Sequence, residues 1–235
     1  MRRSAVLVGM LVLCVAMAFT QTHTRPRPQR APVTTVRTDV QAASFPWQKG
    51  EVSGRTYTNR SLGFEVTFPD EWLIPGDDFE AYMKSQGFDL GLKAPDTISP
   101  AARAGLNASL KKVQVLLTAY RSMPGSADNA IVRISAEDIT TEPQIKDAVD
   151  YVDALRGSMA AMHLPVDVKY SETQAEQFAN GKQMAFIDTS SRDAKKRMYV
   201  SVRGRTAILF TISYSKDSDL ATLRSLIGGG NFKLQ

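Results

Sequence analysis

The chain has 235 residues, of which 43% are hydrophobic, enough for one sizeable core or two small ones if the sequence divides. Its formal charge of +5 suggests an anionic partner until the charge is located. Arg2, Arg3, Arg25, Arg27, Arg30, Arg37 and Lys49 face only Asp39 within residues 1–50, so the rest of the chain is close to neutral and nucleic-acid binding by a folded domain has little support.

Residues 1–20 read as a secretory signal peptide. Met1-Arg2-Arg3 is a positive head, Ala5 to Phe19 is apolar, and Ala16-Met17-Ala18 has the small-x-small spacing of a cleavage site, with Ala18-Phe19-Thr20 as the weaker choice. The alternative, an uncleaved anchor, asks for roughly 17 to 25 apolar residues, more than this run offers. The sole cysteine, Cys14, lies within the leader, so cleavage leaves no thiol for a disulfide, a nucleophile or a metal. A lipoprotein would use such a cysteine, but Leu13 stands where a small residue belongs. Export without disulfides leans towards a bacterial periplasm or secretion; in a eukaryotic lumen Asn59-Arg60-Ser61 and Asn107-Ala108-Ser109 would be glycan acceptors. Residues 21–50, rich in Thr, Arg, Pro and Gln, read as a disordered linker whose basic residues could touch anionic envelope polymer. Within it Phe45 and Trp47 either dock on the domain or meet a partner.

The domain, residues 51–235, opens on its clearest strand. Phe64, Val66 and Phe68 alternate with Glu65 and Thr67, and Pro69, placed for the second position of a tight turn, brings Trp72 back over the phenylalanines. Asp77 then caps a short helix carrying Phe79, Tyr82 and Met83, stopped by Gly87; Ser99 and Pro100 start another that runs to about Leu106. Val113 to Tyr120 and Ile131 to Ala136 read as a hairpin with a long tip. Thr141-Glu142-Pro143-Gln144 fits a capping box for a long helix with Ile145, Val149, Val152, Leu155 and Met159 on its sheet side. Val166 to Ser171 is a weak strand, and Asn180-Gly181 marks a tight turn. Arg197 to Val202 and Thr206 to Tyr214 pair across Arg203-Gly204-Arg205, and Asp217 or Ser218 caps a closing helix with Leu220, Leu223 and Ile227 inward and Gly228 to Gly230 as its stop.

The G-F-x-V-x-F-P-x-x-W opening from Gly63 to Trp72, the central amphipathic helix, the Asn180-Gly181-Lys182 hairpin, the strand-turn-strand and the closing helix near Phe232 together resemble the PsbP family and its bacterial relatives. The resemblance spans about Tyr57 to Phe232. It implies an α+β fold, an α/β/α sandwich with a central antiparallel sheet flanked by helices, and a role as a binding or assembly subunit. The stretch from about Asp77 to Leu110 departs from the plant pattern, and no contact residue of the family carries over to this chain.

Chemistry is sparse. His23 sits in the linker and His163 beyond the long helix, and no H-E-x-x-H, G-x-S-x-G or phosphate-cradling motif occurs. Asp147, Asp150 and Asp153 share a helix face, where a solvated surface weighs more than a metal site. Asp70 with Glu71, Asp77 with Asp78, and Glu137 with Asp138 sit where turns and caps attract acids. No catalytic residue, metal ligand or cofactor is assigned. Arg192, Lys195, Lys196 and Arg197 form the domain's basic cluster, a charged hairpin tip or a contact for an acidic partner. Three readings stand: an exported binding or assembly-accessory module whose partner is another envelope protein, a small hydrolase with an unrecognised carboxylate site, and peripheral attachment to envelope polymer through the basic linker.

Overall fold

The computed structural model describes residues 45–76, 78–87, 90, 92, 94, 98–124, 126, 129–162, 164, 166–192 and 194–229. The leader with Cys14, the linker to residue 44 with His23, the Asp77 cap, His163, Asp193, and Gly230 to Phe232 lie outside them.

Three short strands, β1 (Glu51–Ser53), β2 (Thr56–Asn59) and β3 (Phe64–Thr67), form an antiparallel meander. Alternation puts Tyr57 and Asn59 of β2 and Phe64 and Val66 of β3 on its buried face. Gly63, at φ 65°, occupies the left-handed position from which β3 departs. The Trp72 amide donates to the Pro69 carbonyl at 3.1 Å, so Pro69 takes the first position of the turn and not the second. Arg55 holds this turn, ion-paired to Asp70 at 2.9 Å and donating to the Trp72 carbonyl. Trp72 is thereby returned beside Phe68, ring centroids 6.0 Å apart, and is fully buried, as its spacing predicts.

Seven strands build the main antiparallel sheet: β4 (Val113–Tyr120), β5 (Ile131–Asp138), β6 (Lys169–Tyr170), β7 (Gln174–Gln177), β8 (Gln183–Ser190), β9 (Lys195–Arg203) and β10 (Thr206–Tyr214). They lie in the order β4-β5-β10-β9-β8-β6, with β7 also paired to β8. All three expected hairpins are present, β4–β5 with an irregularity between Val115 and Leu117, β7–β8 across Asn180-Gly181, and β9–β10 across Gly204-Arg205. Val166, placed in a strand by the sequence reading, is fully exposed, and the strand shrinks to Lys169–Tyr170.

Among the described residues four helices complete the fold: α1 (Phe79–Ser85), α2 (Pro100–Leu110), α3 (Ala148–Ala161) and α4 (Asp217–Gly228). One face of the sheet packs on the meander and α4 through Phe64, Trp72, Phe210 and Leu223; the other packs on α2 and α3 through Leu106, Val152, Leu155 and Leu209. The α+β architecture with a central antiparallel sheet is therefore the one expected, with a small second sheet sharing a layer with α4. Phe45 and Trp47 belong to the first core and stack at 5.4 Å, so of the two fates open to them they dock on the domain.

The starts of the helices differ from the sequence reading. For α3 the cap is Asp147, whose side chain accepts from the Val149 and Asp150 amides, while Asp150 accepts from the Lys146 amide. This displaces the expected capping box at Thr141. Tyr151 joins Val152, Leu155 and Met159 on the buried side, and Val149, roughly 100° of helix from the centre of that side, is exposed. Asp78 and Lys216 occupy the N-cap positions of α1 and α4 without side-chain caps, so Asp217 and Ser218 lie inside the first turn of α4.

Replacing Trp72 by Ala is expected to cost about 3 to 5 kcal/mol, the usual loss for a large aromatic in a packed core. Urea unfolding measures it, and a loss under about 1 kcal/mol would remove Trp72 from the core's main supports.

Candidate functional site

Among the described residues, β4 is the outermost strand on its side of the sheet. Beside it runs a cleft of about 750 Å³. Its floor is β4 itself, from Val113 through Val115 and Thr118 to Tyr120, with Arg133 of β5 behind. One wall is the incoming chain, Lys49 to Val52, and the other is apolar, made by Phe79, Leu90, Leu92 and Leu110.

The incoming chain is held in place by polar groups to which the sequence reading gave no such role. Tyr57 donates its hydroxyl to the Lys49 carbonyl and accepts from the Asn59 amide at 3.0 Å. Burial pushes the Tyr57 phenol up to about 12 despite the Asn59 bond, so it stays neutral at physiological pH. Gly50, at φ 88°, lies where a Cβ would come within 2.5 Å of the Tyr57 hydroxyl. Asn59 also donates to the Gln48 carbonyl and accepts from Ser61 and the Leu62 amide. Its amide is thus consumed inside the domain and closed to a glycosylating enzyme, which corrects the acceptor reading at Asn59.

The basic cluster is divided by strand geometry. Successive side chains of β9 point to opposite faces, so Lys195, Lys196 and Arg197 cannot form one patch. Arg192 and Lys195 are exposed, and Lys195 lies 3.4 Å from Asp217. Lys196 is only 3% exposed. Arg197 grips Asp188 with two bonds of 2.7 Å, lies 4.2 Å above the Phe186 ring and donates to the Tyr199 hydroxyl. Burial pulls the Arg197 guanidinium down, but the Asp188 bonds outweigh it and keep the charge. Glu176 closes the network, accepting from Tyr199 at 2.5 Å and from Arg224 of α4. Burial works against its ionised form, yet the donors from Tyr199 and Arg224 hold Glu176 below the usual carboxylate range.

The paired carboxylates also separate. Asp70 is engaged by Arg55. Glu137 is buried and accepts from the Tyr151 hydroxyl at 2.6 Å, whereas Asp138, on the opposite face, accepts from the Thr140 amide. Asp147 and Asp150 cap α3, and Asp153 accepts from Thr173. Among the described residues no group of three His, Cys, Asp or Glu side chains converges as a metal site would require.

No protein family's sequence profile matches the chain, and no curated protein matches it. Among solved structures it is similar to the solution structure of cyanobacterial PsbP (CyanoP) from Synechocystis sp. PCC 6803. That match has 14% identity and a TM-score of 0.40, and covers 79% of this chain and 96% of that one.

Charge reversal should separate the basic residues. Lys195→Glu is expected to leave stability within about 0.5 kcal/mol, while Lys196→Glu or Arg197→Glu costs about 3 kcal/mol or more by burying an unmatched charge; urea midpoints compare them.

Burial pushes the Glu137 carboxyl up to about 8 from 4.5, the Tyr151 bond and Lys112 acting against it and Glu142 and Asp138 with it. Between those values the folded state keeps a proton that the unfolded chain has released, so stability falls as pH rises from about 4.5 to about 8. Glu137→Gln should remove that part of the slope, measured as the urea midpoint at both ends of the window.

Proposed function

We propose that the chain is an exported, non-catalytic binding or assembly-accessory module of the cell envelope, and that the cleft beside β4 holds its partner. The cleft carries this reading. It has the size and mixed lining of a recognition site, and among the described residues that line it Glu51 alone brings a carboxylate. A carboxylate hydrolase would need a second acid converging there, so the geometry favours binding over that alternative. The charged leader head, apolar run and cleavage spacing support export, and among the described residues no helix is long and apolar enough to cross a membrane.

Contact with an acidic partner surface, expected of the whole basic cluster, narrows in this reading to Arg192 and Lys195. The basic linker adds weak attraction to anionic envelope polymer, about 1 kcal/mol per charge near such a surface.

Affinity capture from the organism's own envelope extract tests the proposal. The mature chain should retain a partner that Val115→Arg, which fills the cleft floor, loses at unchanged circular dichroism. An undiminished catch by the variant would move the partner site elsewhere.

A further inference from the structure

The outer side of β4 is an unfinished ladder. Its inner side is fixed by β5, with the Arg121 amide donating to the Ala130 carbonyl at 2.9 Å just past the strand end. Alternation then turns the main-chain groups of Tyr120 and Thr118 outward. Leu73 confirms the direction, its amide donating to the Tyr120 carbonyl at 2.7 Å and its carbonyl accepting from the Tyr120 amide at 2.9 Å. The first rung is therefore already built, antiparallel, by an extended piece of the chain itself. It goes no further because Pro75 has no amide hydrogen to donate, and Gly76 turns away to accept from the Phe79 amide. Among the described residues no strand pairs with the outer side of β4 beyond that bridge.

The surroundings say what kind of occupant fits. The edge lies at the bottom of the cleft, between the Lys49–Val52 wall and the Leu90, Leu92 and Leu110 wall. A second copy of the domain would bring its own β4 equally sunk, so two such edges cannot meet. A single extended chain can enter. Paired in line with Leu73, it would send alternate side chains to the leucine wall and the intervening ones towards Gly50 and Val52.

We propose that the cleft binds an extended peptide segment of a partner protein by strand addition to β4, continuing the Leu73–Tyr120 rung, with aliphatic residues at alternate positions facing Leu90, Leu92 and Leu110. This rests on the binding reading above and gives it a mechanism. Main-chain hydrogen bonds supply attachment, and the leucine wall selects the side chains.

The probe is a set of synthetic peptides matching the Val113–Thr118 span, with valine or leucine alternating with threonine or lysine, followed by fluorescence anisotropy. Thr118→Pro removes one outward amide without touching the bonds to β5, and should weaken binding about tenfold, the scale of one main-chain hydrogen bond. Thr118→Ala should bind as the parent does. N-methylation of alternate amides in the peptide tests the same bonds from the ligand's side and is independent of how well the proline variant folds. One N-methyl register should abolish binding and the other leave it intact. Equal binding by both registers, or by Thr118→Pro and the parent, overturns strand addition. In envelope capture, loss with Val115→Arg but not with Thr118→Pro overturns strand addition while the cleft reading stands, whereas no loss with either overturns both.

Discussion

Everything in this fold is hung on a strand buried on both faces. Residues Ala207 to Ile212 of β10 are all inaccessible, its backbone is paired to β5 on one side and β9 on the other, and its side chains supply both cores in turn. A strand so enclosed can carry apolar side chains on consecutive positions, and Ala207, Ile208, Leu209, Phe210, Thr211 and Ile212 nearly do so. The layers on either side follow from this. The meander with Trp72 and α4 covers the face shown by Ile208 and Phe210, and α2 and α3 cover the face shown by Ala207 and Leu209.

Several polar contacts fasten one layer to another. Glu137 meets Tyr151 between β5 and α3, Arg121 meets Asp219 at 2.9 Å between the end of β4 and α4, and Glu176 meets Arg224 between β7 and α4. Each bond needs a particular placement of helix on sheet, which greasy contact alone would leave loose. The ion pairs Arg121–Asp219, largely buried, and Glu176–Arg224, with Arg224 half exposed, contribute little net stability, since desolvation or solvent screening offsets their attraction. Their effect here is to fix the register between layers. The close approach of α4 to the β7–β8 hairpin works the same way. Asn180 donates to the Ile227 carbonyl, and a Cβ on Gly228 would come within 2.9 Å of Phe178.

Where neighbours in sequence decide a structure, the sequence was readable. The Phe64–Trp72 stretch, the β9–β10 hairpin and the Ser99-Pro100 helix start all follow from local pattern. Where a local signal met a tertiary demand, packing decided. Thr141 and Asp147 both precede helical sequence, but Ile145 is buried and the chain between them is drawn into a turn, so the helix waits for Asp147. Lys195-Lys196-Arg197 looked like one charged tip because it was read as composition. Read as a strand continuing into Met198 and Val200, the same residues alternate between the two faces. The cleft was beyond reach for another reason: β1, Phe79 of α1, Leu90, Leu92 and β4 meet only in three dimensions, and the walls it needs carry no motif.

The pairing order of the sheet also constrains how the chain can acquire its shape. Strands β4 and β5 are complete early in the sequence, yet the inner edge of β5 is satisfied by β10, separated from it by roughly seventy residues of chain. A nascent or partly threaded chain that lacks Thr206–Tyr214 cannot close either core, so folding is gated by its last strand and proceeds at the pace of long-range pairing. Under the export proposed above, that arrangement would also postpone collapse until the chain has crossed its barrier, without help from any separate device.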